Sequence, residues 1–124
     1  MTETIVWSLT AGGTSGSAVQ TKGASVGDGI ISVSVELDAA SSARDLALQI
    51  DTVDNVAVLA ISSTLFDGSV TVKADGANAT ALSGPILLFG EAVKLFAGDL
   101  TTLTVENTSV VSAARITILI GLTV

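Results

Sequence analysis

Residues 112–124 constrain the fold more than any other segment. Ile116, Ile118, Ile120, Leu122 and Val124 alternate there with Arg115, Thr117, Leu119, Gly121 and Thr123. Side chains alternate faces along a strand, so this period of two lines one face with aliphatic residues, and Leu119 makes the other face partly apolar. Such a strand cannot stand alone. Its backbone groups need neighbouring strands, and its apolar face needs a second layer to cover it. The chain is therefore expected to be an all-β, antiparallel β-sandwich that this strand completes.

The remaining segments supply the neighbours. Residues 30–38 set Ile31, Val33, Val35 and Leu37 against Ser32, Ser34, Glu36 and Asp38, a half-buried strand. Residues 45–50 alternate in the same way through Leu46, Leu48 and Ile50, after a small, polar connection at residues 39–44 that is at most one helical turn. Residues 56–63 are apolar on both faces, as in a central strand covered on both sides. Phe66-Asp67-Gly68 turns into a strand carrying Val70 and Val72, and Asp75-Gly76 turns again. Residues 80–82, 86–89 and 92–96 read as short strands, and Ala97-Gly98-Asp99 leads into a strand with Leu103 and Val105 inward. This gives about eight to ten short strands at sandwich spacing, with no helical period and no internal repeat, in one domain spanning residues 1–124.

Composition narrows the function. Hydrophobic residues make up 48% of the 124 and the mean hydropathy is +0.71, yet no apolar run approaches the about 18 residues of a membrane helix. Glu3 stands where a secretory signal carries positive charge, so synthesis without export and no membrane partner are expected. The chain has no cysteine, histidine or tyrosine, and its net charge is −7. That charge opposes phosphate backbones, so direct nucleic-acid binding is not expected.

The inventory for chemistry is thin. Without histidine the triad arrangements fail, and a serine–lysine pair would need Lys73 or Lys94, both expected on outward strand positions without a local partner. Asp51 and Asp54 with Asn55 crowd one turn that could bind Ca²⁺, but this cluster, Asp28 between two glycines, and Asp75 with Asn78 read as turns whose side chains cap their own backbone. None has the spacing of a calcium loop. Gly12-Gly13 lacks the helix and lysine of a phosphate cradle. Asn78-Ala79-Thr80 and Asn107-Thr108-Ser109 match the glycosylation pattern, which matters only in a secreted chain. The expectation is no catalytic residue, no cofactor and no metal.

What remains is an interaction surface. Residues 1–9 form a strand with Ile5, Trp7 and Leu9 on one face, and residues 11–17, rich in glycine, serine and threonine, form a hinge. Residues 1–17 are thus an N-terminal arm that either completes its own sheet or reaches a neighbouring subunit or shell. A short edge strand follows at residues 18–24. Ile5, Trp7 and Leu9 are the expected interface residues, and a chain this apolar is expected to be an oligomer or part of a larger assembly.

From Leu46 onward the pattern resembles the small virion proteins of tailed bacteriophages in the capsid decoration or cement class. The likeness rests on residues 56–63, the turn Phe66-Asp67-Gly68 into Ser69-Val70-Thr71-Val72, the Ala97-Gly98-Asp99 turn into residues 100–107, and Ala114-Arg115-Ile116-Thr117-Ile118-Leu119-Ile120-Gly121. It covers about two-thirds of the chain and carries no functional residue across. It implies a jelly-roll-like sandwich, a homo-oligomer that is a trimer or a dimer, a virion location after assembly in the host cytoplasm, and a major capsid protein or other virion protein as partner. Two alternatives stand beside it: a carbohydrate- or receptor-binding module of a tail fibre, for which Trp7 and the phenylalanines would form the platform, and a self-assembling filament subunit.

Overall fold

The computed structural model describes residues 3–12, 14–16, 18–27, 29–48, 50 and 53–123. Ten strands are present among them: β1 (Glu3–Gly12), β2 (Ala18–Gly27), β3 (Gly29–Leu37), β4 (Ser41–Ala47), β5 (Val56–Ser63), β6 (Val70–Ala74), β7 (Thr80–Ala81), β8 (Ile86–Phe89), β9 (Thr102–Asn107) and β10 (Ala114–Leu122). All pairings are antiparallel. Two four-stranded sheets, ordered β3-β10-β5-β8 and β4-β9-β6-β7, make the sandwich, and β1-β2 forms a separate two-stranded sheet.

The alternation in β10 decides this arrangement. Ile116, Ile118 and Ile120 are fully buried and sit between Val35, Val33 and Ile31 of β3 on one side and Ser63, Ile61 and Leu59 of β5 on the other. The facing sheet contributes Val70, Val72 and Ala74 of β6 and Leu103 and Val105 of β9 to the same core. Each fully buried aliphatic side chain contributes roughly 1.5–3 kcal/mol from apolar area removed from water. The expected all-β sandwich is thus the observed one.

Several local expectations are corrected. Residues 41–44 are not a connection or helical turn but the first half of β4, with a bulge between Ser41 and Arg44. They alternate poorly because the strand lies at a sheet edge and its residues from Ser42 through Asp45 are all exposed. Residues 92–96 are not a strand: Gly90–Leu95 is a 3-10 helix, which brings Val93 into the core and places Phe96 one turn on against it. The second strand runs to Gly27 rather than Ala24.

One buried polar side chain ties the sandwich end together. Asn107, fully buried, donates from Nδ2 to the carbonyls of Asp38 and Ser112 and accepts the Ser109 N–H at Oδ1. Its amide is therefore occupied within the fold, which removes it as a glycan acceptor. Asn78 of the other pattern is exposed.

Candidate interaction surface

The sequence places apolar residues on the outward side of the β3-β10-β5-β8 sheet as well as the inward side. In register there are Leu119, Ala60 and Leu87 in one row and Gly121, Val58 and Phe89 in the next. An outward apolar row needs a cover, and the β1-β2 hairpin provides part of it. An added Cβ at Gly121 would lie 2.5 Å from Ile5 Cδ1, so Ile5 fills the notch that this glycine leaves. Val58 beneath it is 1% exposed. Trp7 meets Phe89 with ring centroids 4.5 Å apart and planes at 46°, a tilted aromatic pair worth about 1 kcal/mol beyond its area.

The hairpin is shaped for this seat. Trp7 is directly paired with Gly23 on β2, and a Cβ on that glycine would come within 2.8 Å of the indole ring. The missing side chain is what lets the ring lie across its own sheet. At the other end, Gly27 comes so near the Leu122 carbonyl of β10 that a Cβ would lie 2.5 Å from the oxygen. Among the described residues the buried indole Nε1 has no acceptor, and the ring packs on Phe89 and Gly23.

The seat covers only half of the hairpin. Every described residue from Ser8 through Lys22 is exposed, with Leu9 at 43% and Val19 at 60%. A groove of about 390 Å³ opens beside β1, floored by Ala60, Leu87 and Leu119 and bounded by Ser8, Leu9, Ser62, Pro85 and Thr117. None of these residues is charged.

Of the expected interface residues, Ile5 and Trp7 lie half-buried against the chain's own sandwich and Leu9 lies at the edge of the groove. The strand that carries them neither joins a sandwich sheet nor stands free. It pairs over ten residues with β2, and the expected hinge is the bend of that hairpin, with Thr14, Ser15 and Gly16 in the turn. Gly13 and Ser17 of that segment lie outside the described residues, as do Met1 and Thr2 of the arm. Val58 belongs to the run of residues 56–63 whose two apolar faces signal a cover, whereas Phe89 and Gly121, which also receive the hairpin, carried no sequence signal of that role.

The carboxylates and lysines singled out in the sequence sit elsewhere. Asp28 and Asp51 lie outside the described residues. Lys94 is on the 3-10 helix and not on a strand, and it does have a local partner: Nζ is 3.0 Å from Glu91 and 2.6 Å from Asp54. Those hydrogen bonds, Asp54 first, hold the ammonium above its usual range, opposite to what a general base needs. Lys73 is exposed on β6. Among the described residues no three acidic side chains gather as metal ligands, and no helix is long and apolar enough to cross a membrane. No family model matches this chain, and no curated protein or solved structure matches it.

Proposed function

We propose that this chain is a non-enzymatic structural virion protein that binds and stabilises a viral capsid as a decoration or cement protein. The observation that carries the reading is the uncharged, apolar groove on the outward face of one sheet, beside a projecting hairpin that covers the rest of the apolar row, on a chain whose net charge is −7. An apolar patch rimmed by hydroxyls marks a surface that meets another protein. The strand order supports the same reading. Apart from β6 and β7, which pair in one sheet, successive strands alternate between the sheets, giving β3-β10-β5-β8 over β4-β9-β6-β7, an order that fits a jelly-roll reading, an architecture common in capsid proteins.

The segments that carry the phage resemblance are the core strands β5, β6, β9 and β10 and the turns before them. The carbohydrate alternative draws less support, because Trp7 packs against Phe89 rather than presenting a free ring and Phe66 alone of the phenylalanines is exposed. The major capsid protein is the partner to test, and the neighbouring genes identify which one. Purified chain added to undecorated shells should co-sediment to a fixed copy number and appear as density on the outer surface. Absence from purified virions together with no binding to the shells would sink the proposal.

A further inference from the structure

The hairpin leaves two long strand edges unpaired, and the molecule's other edges show why that matters. An exposed edge is a template for pairing with another chain, and proteins blunt edges they do not use. Here β7 has two residues, β8 has four behind Pro85, and β4 carries a bulge beside Arg44 and Asp45. β3 is longer, but its outward face, Ile30, Ser32, Ser34 and Glu36, is mostly polar and carries the charged pair of Glu36 with Arg115. β1 is ten residues long, with no proline, no bulge and an unbroken register to β2. Residues 4–21 contain no charge at all.

We propose that β1 is a self-association edge: it pairs antiparallel with β1 of a second copy about a two-fold axis, making one four-stranded sheet from two hairpins. The occupant is a second copy for three reasons. A strand related to itself by a two-fold is antiparallel and equal in length, so every main-chain group on the edge meets a partner. Two chains of charge −7 repel wherever their charges face, and residues 4–21 are where they can meet without that penalty. The groove is lined by Ser8 and Leu9 of β1 and by no residue of β2. A strand added along β1 therefore runs on the groove side of the hairpin, while Ile5 and Trp7 of each copy keep their seats on their own sandwich. Any register that sets odd-numbered residues opposite odd-numbered ones keeps Ile5, Trp7 and Leu9 on the inward side. The contact does not depend on the capsid reading and is measured without shells.

The chain has no cysteine, so introduced ones report the contact cleanly. Val6→Cys, Ser8→Cys and Thr10→Cys, all at exposed outward positions on β1, are oxidised mildly beside Gln20→Cys on β2. Directly opposed residues on paired strands come within disulfide reach. At least one β1 variant, or one equimolar mixture of two β1 variants, should form a covalent dimer while the β2 variant stays unlinked. Light scattering of the unmodified chain should give twice the 12.3 kDa chain mass. A Val6→Lys, Thr10→Lys double variant should weaken the dimer by about ten-fold with an unchanged far-ultraviolet spectrum. A monomer at all concentrations, a trimer, or linkage at Gln20→Cys in preference to the β1 positions would overturn the proposal.

Discussion

On the β4-β9-β6-β7 sheet the outward positions hold Asp45, Lys73, Thr71, Thr102, Thr104 and Glu106, and on the β3-β10-β5-β8 sheet the central ones hold Leu119, Ala60, Leu87, Gly121, Val58 and Phe89. The first face is finished as it stands: Thr104 Oγ1 donates to Asp45 at 2.7 Å, and the rest meets solvent. The second is unfinished in water, and its one ion pair among the described residues, Arg115 with Glu36, lies at one end. Both inward faces are equally apolar, so the difference owes nothing to the core. It shows that the hairpin is an outer layer the fold requires on one side only, and that its uncovered half marks where the requirement remains.

The comparison breaks most completely when the hairpin loses its anchor. Trp7→Ala removes the ring that meets Phe89 and should cost about 3 kcal/mol of hairpin docking. Amide exchange would then accelerate by about a hundred-fold in β1 and β2, with β5 and β10 still protected, and an apolar dye would bind the bared face. Thr104→Ala on the finished face should change stability by less than about 0.5 kcal/mol. If both variants behave alike, the hairpin is not a separate layer.

A finer test uses the two glycines at the seat. Gly27→Ala sets a methyl against a backbone carbonyl that cannot turn aside, so β2 and β10 must separate, at about 2 kcal/mol. Gly121→Ala clashes with the flexible end of Ile5, which can change rotamer, and makes an ordinary contact with Val58 Cβ, at below about 1 kcal/mol. Urea melts of the two variants would rank them, and the reverse order would mean that Ile5 is the fixed point of the seat.

How far this contrast was legible in the sequence differs between its parts. Strands β3, β5 and β10 were plain because burial on one or both faces writes itself as alternation or as an apolar run. The 3-10 helix was not, because Ala92, Val93 and Phe96 are too few to show a period, although the spacing of Val93 and Phe96 is that of one helical turn. The arm's apolar face was read from Ile5, Trp7 and Leu9, but its pairing with β2 was not, since β2 lacks apolar alternation and the clue was a glycine opposite a tryptophan. The outward row was visible in Leu119 and in the two-sided apolar run of β5. That Gly121 and Phe89 complete it depends on strand register, which no local segment contains.

The smallest expected effect separates the sheets by pH. Asp67 accepts the Ser69 N–H at 2.9 Å just before β6, and Asp99 accepts the Thr101 N–H at 2.8 Å and its hydroxyl at 2.7 Å just before β9. Both carboxyls are held below their usual range, Asp67 chiefly by the Ser69 side chain and then its N–H, Asp99 chiefly by the Thr101 N–H and then its hydroxyl. Both turns lead into the polar sheet. A carboxyl depressed in the folded state binds its proton at higher pH when unfolded, so its contribution is complete above the unfolded value, about 4, and is lost as pH falls through the folded one. Thermal melts between about pH 6 and pH 2 should therefore decline less steeply for an Asp67→Asn, Asp99→Asn variant than for the unchanged chain. Both groups are fully exposed, so the difference is modest and shrinks with added salt. If the variant keeps the full acid slope, these turns do not carry the pH dependence. The polar face then differs from the apolar one in composition but not in its response to acid.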